Sequence, residues 1–302
     1  MTSNALHETQ EISKAFQEIE TFILTKKGEG LKTHLRHHIN HFIKKNQKFA
    51  KRVEEVFEKQ PDQFLKNKDV RGIVKLIEKE LHTTYSQFLS TNKAKRENAL
   101  EKAESISELL DFHKSTKERI ETYDEVYQKI TQFIQSKDST IKKISILDIA
   151  CGMNPLSIEK MNKHVSVSNW MGCDVNASDM EYLQKAYDRF KFKGEFFSFD
   201  VTLEESLINL ESKEVDILFA FKALDSFEYF KRNISFDILK RLNYRFGIIS
   251  FATFSLGGRK KIPITKRAWL FKFFEREGIK YELYETDNEV YIMFERSDTE
   301  LL

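Results

Sequence analysis

The chain of 302 residues predicts an α/β protein, a largely parallel sheet preceded by an all-helical domain. Three observations carry this expectation. From about residue 140 onward, short apolar runs alternate with helical windows, the pattern of strands joined by crossover helices. Before about residue 110, strand-like runs are scarce and apolar residues recur at helical spacing. The last two apolar runs flank Asp287-Asn288, which predicts an antiparallel hairpin at a sheet edge.

Taken in order, the first part of the chain shows helical periodicity in Ile39, Phe42, Ile43 and in Val70, Ile73, Val74, Ile77, Leu81. Gly28-Glu29-Gly30 and Gln60-Pro61-Asp62 punctuate it into several short helices. The first strand is expected at Ile146–Ile149, the second at Trp170–Cys173 and the third at Glu195–Phe199. Val215–Ala220 is the fourth and Phe246–Phe251 the fifth; Tyr281–Tyr284 and Val290–Phe294 form the closing hairpin. Seven strands result.

Hydrophobic residues make up 40% and charged residues 32%, the balance of a globular domain with a generous charged surface. No run of about 18 apolar residues occurs, so no membrane span is expected. The first residues lack a basic stub followed by an apolar core, which predicts a cytoplasmic protein. Cys151 and Cys173 fall at buried strand ends and read as reduced core thiols. Net charge is only +2, but nine Lys/Arg against one acid, Glu29, lie between Lys26 and Arg52. Such an excess, including Lys44, Lys45 and Lys48, attracts phosphates through counterion release; a solvated helix face is the plainer alternative. His34, His37, His38 and His41 share one helix face. With no Cys or acid nearby to complete a zinc site, no metal is assigned, and the face is expected to meet RNA or solvent.

The chemistry concentrates at strand ends. Ile146-Leu147-Asp148-Ile149-Ala150-Cys151-Gly152 is an apolar run closing in Asp-x-x-x-Gly, where an open α/β sheet receives a nucleotide-like ligand. Asp174, 22 residues beyond Gly152, ends the second strand and suits ribose hydroxyls. Asp200 follows the third and suits an adenine amino group. The loop holds a single glycine, so G-x-G-x-x-G is absent and a pyrophosphate has no cradle. An adenosine on a neutral or cationic tail is indicated, and S-adenosylmethionine fits best. One strand ending in Asp and Gly is common in α/β proteins; the three spaced acids are what discriminate.

Four segments narrow the family: Phe112-His113-Lys114-Ser115-Thr116-Lys117-Glu118-Arg119, Asp148 to Pro155, Phe221-Lys222-Ala223-Leu224-Asp225-Ser226-Phe227-Glu228, and Ser255-Leu256-Gly257-Gly258-Arg259-Lys260. As an ordered set they resemble the Arm/Rmt family, which methylates N7 of a decoding-site guanine in 16S ribosomal RNA and confers aminoglycoside resistance. The resemblance covers roughly residues 40–296 and implies a Rossmann-like class I methyltransferase sheet. A helical RNA-binding domain over 1–110 would precede a methyltransferase domain over 111–302. It further implies that Arg119 grips the methionine carboxylate bidentately, a task suited to a guanidinium. His113, Asp148, Gly152, Asp174, Asp200 and Phe221 would complete the cofactor site. Phe221 is also the candidate to stack an extruded guanine. Lys222 and Glu228 would face the methyl group and orient the pocket without transferring a proton, or pair with each other to rigidify the loop. Arg259, Lys260 and Lys261 would touch the RNA backbone. Relatives typically continue that loop with Lys-Gly-Met, where this chain has Lys261-Ile262-Pro263-Ile264. The expected partner is ribosomal RNA in the assembled small subunit, met by a monomer. A methyltransferase acting on another RNA, one acting on a small molecule under a helical lid, and a noncatalytic RNA-binding protein are the alternatives.

Overall fold

The computed structural model describes residues 12–27, 32–81, 93–112, 114–254 and 260–296. The expected break at Gly28-Glu29-Gly30, His113 and Arg259 lie outside the described residues. The chain divides into two compact units, Met1–Leu89 and Ser90–Leu302.

The first unit is helical among its described residues: Lys14–Lys27, Lys32–Lys45, Gln47–Lys59, the 3₁₀ turn Pro61–Lys66, and Lys68–Leu81. The periodic residues Val70, Ile73, Val74, Ile77 and Leu81 are all buried, as are Ile39 and Phe42. They meet Phe16, Ile19, Ile23 and Phe64 in a core whose spacing follows the 3.6-residue period. Asn67 starts the last helix, its side chain accepting from Asp69 N at 2.9 Å and Val70 N at 3.4 Å. Within this core Arg36 donates both Nε and Nη2 to the buried Glu20, at 2.8 and 2.6 Å. His38 is buried too. For His38 the expectation of a polar face meeting RNA or solvent is therefore corrected; the side chains of His34, His37 and His41 lie outside the described residues.

The second unit is built on a seven-stranded sheet of order β3-β2-β1-β4-β5-β7-β6. Its strands are β1 (Lys143–Ile149), β2 (Ser166–Asp174), β3 (Gly194–Ser198), β4 (Glu214–Phe221), β5 (Asn243–Ala252), β6 (Tyr281–Glu285) and β7 (Glu289–Glu295). The first five are parallel; β7 runs antiparallel to β5 and to β6, so the closing hairpin forms around Asp287-Asn288 as expected. The strand order reverses between β1 and β4, the switch point that opens a crevice at the carboxyl edge. Alternation along the strands supplies two cores. Ile144, Ile146, Ile217 and Phe219 pack on one face under the helix Tyr123–Lys137, while Leu147, Ile149, Leu218 and Ala220 pack on the other.

The division falls at 89/90, upstream of the boundary expected near 110. The cause is burial: Leu100, Ala103, Ile106, Leu109 and Leu110 share one core with Tyr127, Ile130 and Trp170. This stretch has helical periodicity like the first unit, yet its apolar residues are spent on the sheet.

Gly247 shows how tight the antiparallel joint is. A Cβ there would lie 2.1 Å from the Phe294 ring, itself buried against Phe274 and Tyr244. Gly247→Ala should lower the unfolding free energy by about 1–3 kcal/mol, the usual cost of overpacking. Denaturant titration would read this, and Phe294→Leu in the same chain should recover part of the loss.

Candidate active site

The loop after β1 is shaped by two residues in the left-handed region, Ala150 at φ 49° and Gly152 at φ 50°. Between them Cys151 N donates to Cys173 O at 3.0 Å, holding the loop against β2. Gly152 N donates to Asp174 Oδ2 at 3.0 Å, so the loop and the second acid are joined directly. Asp174 Oδ1 accepts from Asn176 N at 3.1 Å, and Asn176 in turn caps the helix Ala177–Phe190 through Ser178 N and Asp179 N. Asp200 lies two residues beyond β3 and accepts from Thr202 N at 2.9 Å and Thr202 Oγ1 at 2.7 Å. Both carboxylates are thus fixed by backbone donors before any ligand arrives.

Asp148 differs from these two. It is fully buried and accepts from Asn154 Nδ2 at 2.8 Å through Oδ2, while Oδ1 has no partner of good hydrogen-bond geometry. Burial pushes its carboxyl up to about 7, with the Asn154 amide, the Arg119 guanidinium and the nearby Trp170 indole N–H pulling the other way.

Residues that sequence inspection did not single out hold this loop. Tyr123 Oη donates to Asn154 Oδ1 at 2.9 Å, which orients the amide on Asp148. The Tyr127 and Ser157 hydroxyls share a hydrogen bond of 2.5 Å, and Tyr187 Oη donates to Pro155 O at 2.8 Å. Arg96 donates to Asp179 at 2.6 Å and reaches Met153 Sδ at 3.9 Å. The pair is buried, and burial raises the Asp179 carboxyl against the pull of Arg96.

At the other end of the crevice stands an acid that the sequence did not flag. Glu289, the first residue of β7, is fully buried and accepts from Arg119 Nε at 2.8 Å and Nη2 at 2.9 Å. The Ser250 hydroxyl on β5 donates to it as well, and Lys222 Nζ lies 3.3 Å away. Burial works to raise the Glu289 carboxyl, but Arg119, Lys222 and Ser250 outweigh it and hold it below the usual carboxylate range. Lys222 also meets Glu118 at 3.2 Å, and its backbone, at φ 56°, donates to Ser250 O and Oγ. A sequence signal did exist: Glu289 opens a strand in which Val290 to Phe294 are all apolar and buried, leaving an acid no exposed face.

Three expectations change here. One edge of Arg119, Nε with Nη2, is spent on Glu289, so a bidentate grip on a ligand carboxylate would have to use the Nη1–Nη2 edge. Glu228 does not pair with Lys222. It accepts from Asn233 N at 2.7 Å and Ser235 N at 3.0 Å, capping the helix Ile234–Arg241. Phe221 is only 7% exposed, stacked on Phe219 at 4.6 Å and edge-on to Tyr291 at 5.5 Å, with Arg119 5.2 Å above it. The ring expected to stack a base is occupied by the protein itself.

Among the basic candidates, Lys44 and Lys45 close the helix Lys32–Lys45 and Lys48 lies in the first turn of Gln47–Lys59, all exposed. Lys260 and Lys261 are exposed at the foot of the loop after β5. Among the described residues no group of three or more His, Cys, Asp or Glu is arranged to hold a metal. Nor is any helix among them long and apolar enough to cross a membrane.

Comparison with known proteins agrees with this architecture. A 16S rRNA (guanine(1405)-N(7))-methyltransferase of Serratia marcescens is 27% identical over 196 residues, 65% of this chain and 72% of that protein. The solved structure of the 16S rRNA methylase RmtB matches with a TM-score of 0.63 at 20% identity, over 93% of this chain and 98% of that one. The 16S rRNA methyltransferase RmtF, solved in complex with S-adenosyl-L-homocysteine, matches with a TM-score of 0.63 at 19% identity, over 95% of this chain and 100% of that one. The model of the ribosomal RNA methyltransferase (FmrO) family spans residues 70–292, and the chain belongs to that family.

Proposed function

We infer that this protein is an S-adenosylmethionine-dependent methyltransferase acting on N7 of a guanine in 16S ribosomal RNA, at the decoding site. The observation that carries this is the carboxyl edge of β1, β2 and β3. There Asp148, Asp174 and Asp200 surround a left-handed Gly152 loop in a chain of the ribosomal RNA methyltransferase family. The donor set suits an adenosine with a cationic tail: two pre-oriented carboxylates for hydroxyl and amino donors, and no glycine-rich cradle for phosphate. The incompletely satisfied Asp148 suits a neighbour that brings positive charge.

S-adenosylmethionine, when bound, supplies an electrophilic methyl group on a sulfonium. Asp174 would hold the ribose hydroxyls and Asp200 the adenine amino group, with Gly152 letting the backbone approach. Arg119, fixed in place by Glu289, would meet the methionine carboxylate with its charge and its remaining donors. Guanine N7 carries an outward lone pair, so no proton leaves before attack and no general base is needed. Lys222, held by Glu289 at the end of β4, would position the acceptor; the remaining acceleration comes from alignment, where proximity is worth about 7–11 kcal/mol. Glu228 serves that geometry indirectly, by fixing the helix that follows. The helical unit, with Lys44, Lys45 and Lys48, would dock ribosomal RNA in the assembled small subunit, the enzyme working as a monomer.

Chemical cleavage specific for 7-methylguanosine, on 16S rRNA from cells with and without the gene, should reveal one new site; a product at N1 or at an exocyclic amine would overturn the acceptor assignment.

Asp148 gives a pH signature. Its folded carboxyl lies near 7 and its unfolded one near the ordinary value, so the folded state binds the extra proton between about pH 4 and 7. The stability it contributes is present at low pH and is lost as pH rises through about 7. Asp148→Asn should therefore gain on the wild type in cofactor-free stability from about pH 4.5 to 7.5 and then level off, while its affinity for S-adenosylhomocysteine falls. A stability difference that does not vary with pH would count against it.

Replacing Lys44, Lys45 and Lys48 by Glu should weaken binding to small subunits and flatten its salt dependence, by about 0.7–0.9 in log–log slope per lost phosphate contact. Calorimetry with S-adenosylhomocysteine should find the cofactor site unchanged. Equal loss of both affinities would point to misfolding.

A further inference from the structure

The loop after β5 stands on a stem tied from several sides. Thr253 N donates to Asn288 O at 3.0 Å and Thr253 Oγ1 to Asp287 O at 3.2 Å, so the stem leans on the β6–β7 turn. Ile262 N donates back to Thr253 O at 2.6 Å, and Phe254 and Lys261 form an antiparallel bridge. The buried Arg267 closes the base. Its Nη2 donates to Asp225 Oδ2 at 2.7 Å and reaches Ala252 O at 3.4 Å, and its Nη1 reaches Pro263 O at 3.4 Å. Its guanidinium also lies 5.0 Å over Phe251.

Phe254 stands out on this stem. Phe251, three residues earlier, is 1% exposed, whereas Phe254 is 40% exposed. Residues opposed across an antiparallel pair project to the same face, so the phenyl ring has the exposed Lys261 as its cross-strand neighbour. The stem leaves the sheet at the carboxyl edge: Ser250 pairs with Phe221, and Lys222 N donates to Ser250 O. It therefore rises from the edge that carries Lys222, Asp148 and Asp174. A single exposed aromatic is ordinary on a protein surface. An aromatic on a braced stem, paired with a cation and set beside a transfer site, has the two parts that bind an unpaired nucleotide: a π-face for the base and a charge for its phosphate.

We propose that Phe254 and Lys261 form a nucleotide platform, the ring stacking an unpaired base of the RNA substrate and the ammonium meeting its phosphate. This rests on the RNA-methyltransferase function above and adds the stacking surface that the buried Phe221 does not provide.

The test uses the full chain with isolated small ribosomal subunits, reading KM for subunits, kcat, and S-adenosylhomocysteine affinity by calorimetry. Phe254→Ala should raise KM for subunits about 5- to 100-fold, with cofactor affinity unchanged. Phe254→Trp and Phe254→Tyr should restore the wild-type value, and Phe254→Leu, which keeps apolar volume without a π-face, should not. Lys261→Ala should reduce the salt dependence of subunit binding by about one phosphate contact, a slope change that Phe254→Ala should not produce. A Phe254→Leu variant as effective as wild type, or an unaffected Phe254→Ala variant, overturns the platform while leaving the function standing. A wild-type chain that methylates no RNA overturns the proposed function and this inference with it.

Discussion

The buried ion pair of Arg119 and Glu289 is the constraint around which the carboxyl edge is organised. Two charges removed from water cost several kcal/mol each unless matched, so neither residue is tolerable there without the other. Because they match, four pieces of chain fall into register: the segment before the helix Tyr123–Lys137, the first residue of β7, Ser250 on β5 and Lys222 after β4. The phenols nearby answer to the same burial; Tyr123 is pushed up to about 12 despite Arg119 beside it. Tyr123 therefore stays a neutral donor to Asn154, and through Asn154 the hub reaches Asp148.

Asp148 stands at the costly end of that chain. A carboxyl buried this deeply lowers stability at neutral pH, because the Asn154 amide and its other partners do not offset the loss of water. Such a local conflict is expected where a protein gives up stability for a site. Asp174 and Asp200 show no such conflict, since backbone donors satisfy them. The three acids that look alike as strand endings are thus physically of two kinds.

What could be read from the sequence was what is local. The seven strands, the closing hairpin and the acids at 148, 174 and 200 follow from apolar runs and turn residues, and all appear where period and punctuation put them. The helical character of the first unit was legible for the same reason, down to the buried stripe from Val70 to Leu81. What could not be read was pairing at a distance. Arg119 and Glu289 are 170 residues apart, and no periodicity announces that one will consume the other's hydrogen-bonding edge. Glu228 looked like a pocket acid because it matches the Phe-Lys…Glu segment of the family it resembles, yet a helix start five to seven residues further on claims it. Phe221 looked available because it ends a strand, although the face it shares with Phe219 is already core.

The position of Glu289 on β7 also bears on when the enzyme can exist. A chain under synthesis presents Arg119 long before residue 289 leaves the ribosome, and contacts of such sequence separation close late in folding. Until β7 inserts between β5 and β6, the guanidinium has no buried counterion and β5 has an open edge. The Arg119–Glu289 side of the crevice thus stays unassembled on the nascent polypeptide until translation has passed residue 289.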